Sequence, residues 1–185
     1  WYPILQKEYL KELSLVSFDT FLMSINRVRP SLIRVEADEV SYPLHIILRY
    51  NLEKALIEDS LSLSDLPAAW DDGMEELLGI RPSHDGEGVL QDIHWSMGSF
   101  GYFPTYALGT LYAAQFFSSL LQDHPQVLQE VGQGTYSTIV QWLYQKVHVH
   151  GKTFTAEELC RKITGSPIDP KYFLQYVREK YLDHT

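Results

Sequence analysis

Three short stretches of the chain carry side chains able to do chemistry. The first, Ile33-Arg34-Val35-Glu36-Ala37-Asp38-Glu39, sets one guanidinium among three carboxylates. An arginine held by a neighbouring carboxylate presents a planar fork suited to an anion such as a peptide carboxylate. The same acids lie just ahead of a helical pattern, where they serve equally well as charges favoured by a helix N-terminus. The second stretch is Gly88-Val89-Leu90-Gln91-Asp92-Ile93-His94-Trp95. His94 follows Asp92 by two residues, and a carboxylate there can fix the tautomer of an imidazole acting as base or donor. The alternative is a histidine packed under Trp95. The third, Gly98-Ser99-Phe100-Gly101-Tyr102-Phe103-Pro104-Thr105-Tyr106, flanks a proline with two tyrosines at the entry to a helix. Tyrosine hydroxyls can stabilise an oxyanion, or they can be core residues with satisfied hydroxyls.

Other chemistries find less support. Histidines stand at positions 45, 84, 94, 124, 148, 150 and 184, and no His-Glu-x-x-His occurs among them. His148-Val149-His150 has no third ligand nearby in sequence. The single cysteine, Cys160, lies on a helical pattern and reads as a small half-buried residue rather than a nucleophile. There is no glycine-rich phosphate loop, no Gly-x-Ser-x-Gly and no dinucleotide fingerprint. With 24 acids against 15 bases the net charge is −9, and no basic stripe interrupts it. That excludes nucleic acid and anionic membrane as main partners.

One thiol cannot form an internal disulfide, so the expected compartment is reducing and cytoplasmic. No apolar run approaches the ~18 residues of a membrane span, and no signal peptide is visible. The chain opens on Trp1 rather than methionine, which is expected of a mature or truncated piece.

Helices must position these groups. The expectation is an all-α fold, organised as one region over residues 1–185. Val40, Leu44, Ile47, Leu48, Leu52, Ala55 and Leu56 recur at helical spacing, with Pro43 in the first turn and Asp38 or Ser41 as cap. Leu66, Trp70, Met74, Leu77 and Leu78 form a second apolar face, closed by Gly79. Residues 105–122 are apolar almost all round, which predicts a helix buried on several sides. Ile139, Val140, Leu143 and Val147 mark another helix, ending before Gly151. Thr155 with Glu158 is a capping box. Asp169-Pro170 opens a last helix with Phe173, Tyr176, Val177, Lys180 and Tyr181 on one stripe. Between these elements, residues 80–101 hold Gly86, Gly88, Gly98 and Gly101 together with His84, His94 and Trp95. A loop this long inside a compact helical domain is usually functional or disordered, and Trp95, Phe100 and Tyr102 so close together argue against disorder.

The motifs together resemble the carboxypeptidase Taq family. The resemblance is carried by Ile33-Arg34-x-x-Ala37-Asp38, by Gly88-x-x-Gln91-Asp92-x-His94-Trp95 and by Gly101-Tyr102-Phe103-Pro104-Thr105-Tyr106. The Tyr42-Pro43-Leu44-His45 helix start and the ending from Tyr172-Phe173-Leu174 to Lys180-Tyr181 also fit, so it covers nearly all of the chain. It implies the helical, bundle-like C-terminal part of a larger metallopeptidase with a deep substrate groove. It implies an enzyme, usually homodimeric, that removes single residues from peptide C-termini with zinc or another divalent metal such as cobalt. The family's His-Glu-x-x-His helix, its third ligand in His-Glu-Ser/Gly-Gln, and its His-Pro-Phe and Asp-x-Arg-x-Thr motifs lie upstream of the matched region. The chain is therefore expected to bind no metal alone and to partner an upstream catalytic segment.

On that resemblance His94 and one of Tyr102 or Tyr106 are assigned to the oxyanion or the adjoining peptide group. Arg34 and Gln91 are assigned to substrate carboxylate or backbone, with Trp95 and Phe100 as groove walls. Asp92 is expected to orient His94, and Asp38 to hold Arg34. The rival reading is a non-catalytic helical interaction module, which would not need Gln91-Asp92-x-His94-Trp95 intact.

Overall fold

The computed structural model describes residues 1–182, and among them every regular element is helical. The chain forms two compact units, Trp1–Ser99 and a second beginning at Phe100.

The first unit opens with three short helices that the periodicity did not announce, α1 (Tyr2–Glu8), α2 (Leu10–Leu13) and α3 (Phe18–Ile25). Tyr2 is their one buried residue, and its hydroxyl donates to the Val16 carbonyl at 2.6 Å. Much of their apolar surface faces outward, including Trp1, Leu10, Leu15 and Met23. A 3-10 turn at Arg34–Glu36 leads to α4 (Tyr42–Ile57). Pro43 lies in its first turn, where the missing N–H costs nothing. Asp38 Oδ1 accepts from the Val40 and Ser41 backbone N–H groups at the approach to the helix. Next comes α5 (Leu66–Leu78), which ends on Gly79 at φ 70°, the left-handed conformation that glycine adopts without steric cost. Leu48 and Leu52 of α4 pack with Leu66, Trp70, Met74 and Leu78 of α5 to make the core.

The α4 face differs from expectation in one respect. Ile47 is exposed, while His45, Arg49 and Glu53 are buried. This helix turns a polar stripe inward beside its apolar one.

In the second unit, α6 (Pro104–Asp123) packs against α9 (Ala156–Thr164) and α10 (Lys171–Tyr181). Between them run α7 (Val127–Gly132) and α8 (Ser137–Lys146). Leu120, Val127 and Trp142 form the buried cluster here. Both hydrogen bonds of the Thr155–Glu158 capping box form. Asp169 Oδ1 accepts from the Lys171 N–H at the start of α10.

The expectation that α6 is buried on several sides is corrected. Leu108 and Phe117 are exposed, and of its residues Gln115 and Leu120 are the fully buried ones. Gln115 is fully partnered. Its Nε2 donates to Thr164 Oγ1, Ser166 Oγ and the Pro167 carbonyl, and its Oε1 accepts from the Asp169 N–H. A buried amide that satisfies the backbone of the α9–α10 loop adds a polar anchor to the apolar contacts of Leu120 and Ile163. Gln115→Leu should therefore lower stability by about 2–4 kcal/mol, because each buried group left without a partner costs about 1–3 kcal/mol. Thermal unfolding of the purified variant measures this, and an unchanged Tm would show that the loop is anchored elsewhere.

Candidate functional site

The three motif stretches end up in different places. Arg34 lies in the 3-10 turn before α4, and Gln91, Asp92, His94 and Trp95 lie in the loop after α5. All belong to the first unit. Tyr102 and Tyr106 belong to the second, at the start of α6, where their rings stand edge to face with centroids 5.4 Å apart. Phe100 is half exposed at the start of the same unit.

In the first unit the centre of the arrangement is Asp92. Its Oδ1 accepts from Arg34 Nη2 at 2.6 Å and Nε at 3.1 Å, and its Oδ2 accepts from Arg49 Nε at 2.7 Å. Arg49 Nη2 also lies 2.6 Å from Oδ2. Two guanidinium groups thus converge on one carboxylate. Charge-assisted bonds of this length are the strong kind.

Burial alone would raise the Asp92 pKa, but the two arginines outweigh it and hold the carboxyl below its ordinary range. Burial likewise works against the charge of Arg34, yet Asp92 and Tyr42 lift its pKa above the usual value. Arg49 is fully buried, and there desolvation wins, pulling its pKa down to about 10. Both guanidiniums remain charged at neutral pH.

Further contacts hold Arg34 from other sides. Its Nη1 donates to the Tyr42 hydroxyl at 2.9 Å, and its backbone N–H donates to Gln91 Oε1 at 2.9 Å. Gln91 Nε2 donates in turn to the Leu32 and Glu87 carbonyls. Gln91 was assigned to substrate, and in this structure both ends of its amide are on backbone. It acts as a strut between two loops.

The expected Asp38–Arg34 pair is also corrected. The carboxylate on Arg34 is that of Asp92, while Asp38 accepts from the backbone N–H groups of Arg29, Val40 and Ser41. Burial favours the neutral form of Asp38, but those N–H groups prevail and lower its pKa. Asp38 shapes the turn, and Asp92 does the pairing, because the loop after α5 folds back across 58 residues to reach Arg34. Asp92 and His94 do come together, with Oδ1 and Nδ1 3.8 Å apart. That is too long for a hydrogen bond, so the expected direct bond by which Asp92 would orient His94 is not made.

The side chains that the sequence reading missed come mostly from α4. Arg49 lays its guanidinium over the Trp70 ring at 4.5 Å and donates from Nη1 to the His45 carbonyl. Glu53 Oε1 accepts from Trp95 Nε1 at 2.6 Å. The four-residue spacing of His45, Arg49 and Glu53 was the available signal, since such residues share a helix face. Away from this cluster, Ser24, Arg27, Arg29, Ser31, Glu36 and Asp38 line a polar cavity of about 410 Å³.

Comparison with known proteins agrees with these motifs. The family described as carboxypeptidase Taq (M32) metallopeptidase matches residues 1–181. The chain is 46% identical over 166 residues to Carboxypeptidase 1 of Bacillus subtilis, covering 90% of this chain and 33% of that protein. It is 44% identical over 181 residues to Thermostable carboxypeptidase 1 of Pyrococcus furiosus, covering 98% and 36%. The crystal structure of M32 carboxypeptidase from Deinococcus radiodurans R1 is similar with a TM-score of 0.95 at 32% identity, over 98% of this chain and 37% of that one. The chain thus spans about a third of the length of the curated relatives it matches.

His45 gives the cluster a pH dependence. It is fully buried, and the Ser31 backbone offers its ring only a weak contact that fails to offset the loss of water. Desolvation first, then the Arg49 charge, lowers its pKa from 6.5 to about 4. Between those values the unfolded chain binds a proton that the folded chain refuses, so stability falls as pH drops from 6.5 towards 4. The loss amounts to roughly 3 kcal/mol. Asp92 acts in a lower window, because its depressed pKa releases the paired carboxylate only below the ordinary carboxylate range. Denaturant unfolding at pH 7 and pH 5 should show a steep slope for the natural protein and a flattened one for His45→Gln.

Proposed function

The chain belongs to the carboxypeptidase Taq (M32) metallopeptidase family, and on that premise we propose that it forms part of a metal-dependent carboxypeptidase releasing single residues from peptide C-termini. The observation that carries this reading is the Arg34–Asp92 bond. It joins two motifs far apart in sequence into one constellation and leaves His94 beside it, with Nδ1 3.8 Å from the shared carboxylate. A carboxypeptidase needs a stiff cation or donor set for the terminal carboxylate, and donors for the oxyanion that develops at the scissile carbonyl.

Arg34 is our candidate for the first task. Asp92, Tyr42 and Gln91 fix its position before any peptide arrives, so little side-chain entropy remains to be lost on binding. His94 is our candidate for the second, with Tyr102 or Tyr106 as the other donor. Trp95 and Phe100 would form walls of the substrate groove.

The residues described here do not fit the metal on which the family depends. Among them, no group of three or more His, Cys, Asp or Glu side chains could hold an ion. We assign zinc or cobalt, and its ligands, to an upstream segment of a longer protein that works as a cytoplasmic homodimer on peptide substrates. The chemistry such an ion supplies is carbonyl polarisation and acidification of bound water. What this chain contributes is orientation of the peptide and hydrogen bonds to its reacting carbonyl.

Two substitutions in the full-length protein test this. His94→Ala should lower kcat by about 10²–10³, the usual loss for one oxyanion donor, while KM and metal content move little. Metal loss instead would make His94 a support of the ligand shell, and an unchanged kcat would leave it a packing residue. Arg34→Met should reduce kcat/KM on a blocked dipeptide by about 2–5 kcal/mol, as for truncating one partner of a buried charged pair. Normal cleavage with a lower Tm would mean that Arg34 serves the fold alone.

A further inference from the structure

Helix α4 sends His45, Arg49 and Glu53 into the first unit at successive four-residue steps, with exposures of 0%, 0% and 4%. Charged side chains are almost never buried to this degree unless they are paired. The partners of Arg49 and Glu53 lie in the loop that carries His94. Arg49 takes Asp92, and Glu53 takes the Trp95 indole N–H. Asp92 and Trp95 stand on either side of the Ile93-His94 step. Arg49 and Glu53 stand about one helical turn, or ~6 Å, apart along α4. The helix therefore grips the loop at both ends of the segment holding His94.

Trp70 braces both grips. Its ring lies under the Arg49 guanidinium at 4.5 Å and meets Trp95 edge to face, with centroids 6.0 Å apart. Trp70 is itself core, 1% exposed. The loop between the grips has no helix or strand of its own to hold it, and Ile93 points outward at 67% exposure, so apolar packing of that residue does not locate it. Polar bonds to α4 act there beside the Asp92–Arg34 bond, the Ser99 N–H on the His94 carbonyl and the packing of Trp95 on the core.

We propose that Glu53 is a positioning residue for His94: by holding the Trp95 indole it fixes where the imidazole stands. Glu53 acts through Trp95 and need not touch substrate. The inference rests on the reading of His94 as an oxyanion donor, and it adds a residue whose effect on rate should be separable from its effect on stability. A carboxylate and an amide oxygen can both accept from an indole N–H, whereas a methyl group cannot. That difference in acceptor capacity is the handle for the test.

The experiment uses the full-length metal-loaded enzyme with a blocked dipeptide. Glu53→Ala should lower kcat by about 10–100-fold, the range for removing a supporting partner of a functional ligand. KM should stay within about twofold and metal content should be unchanged, since uniform binding is untouched when only transition-state contacts are lost. Glu53→Gln should restore most of the rate. Trp95→Phe, which keeps a ring in the core and deletes the N–H, should reproduce the fall in kcat, and it provides the test if Glu53→Ala does not fold. Adding Glu53→Ala to Trp95→Phe should then cost little more. A normal kcat for Glu53→Ala or for Trp95→Phe, beside a low one for His94→Ala, overturns the role of Glu53 and leaves the function intact. A Glu53→Gln enzyme as slow as Glu53→Ala also overturns it. A normal kcat for His94→Ala removes the oxyanion reading and the role of Glu53 together.

Discussion

Asp92 is a carboxylate largely withdrawn from water and shared between Arg34 and Arg49. The pairing binds three separate pieces of chain: the 3-10 turn that carries Arg34, the middle of α4 that carries Arg49, and the loop that carries Asp92 itself. Each ion depends on the others. Removing the carboxylate would leave two guanidiniums facing one another in a nearly dry site, and removing either arginine would strip the carboxylate of half its compensation. An uncompensated buried charge costs several kcal/mol, so the three pieces are obliged to meet. The state of His45 follows from the same cluster. A third cation beside Arg49 and Arg34 is disfavoured, which is why burial and charge act together to keep that ring neutral.

Each unit braces a connection between helices with polar bonds, but the chemistry differs. In the second unit one neutral amide, Gln115, braces residues 164–169 through four hydrogen bonds. In the first, ions do the work, with Gln91 as a neutral auxiliary. Loops carry backbone N–H and C=O groups that must find partners once buried, and an amide supplies both a donor and an acceptor. The ionic cluster adds direction and stiffness to the groups that the proposed chemistry would use. Arg34, restrained by a carboxylate, a phenol and a backbone bond, needs little reorganisation to receive an anion. Such preorganisation is where binding and catalysis gain most.

Much was legible in the sequence because it depends on local rules. The helix bounded by Gly79, the Thr155 capping box and the Pro43 helix start follow from backbone geometry and short-range hydrogen bonds, which neighbouring residues decide. The three motifs were legible as ordered strings, and the family match over residues 1–181 agrees with them. The short helices α1–α3 were not, because none presents a continuous apolar face long enough to show a period. Gln115 was hidden inside an apolar run, where a single polar residue looks like an interruption rather than an anchor.

What the sequence determined by itself is the helical class, the Gly79 stop and the Thr155 capping box, since these rest on interactions within a few residues. What the tertiary structure decided is who holds whom. Asp38 is four residues from Arg34, yet the carboxylate on that arginine comes from Asp92, across 58 residues. The spacing of His45, Arg49 and Glu53 puts them on one helix face, but it does not show that face to be interior, because burying a charge is favourable only when its partner arrives from elsewhere in the chain. Periodicity reports which face of a helix is apolar. It cannot report that a polar face is also buried, because the compensating groups are brought there only by the fold.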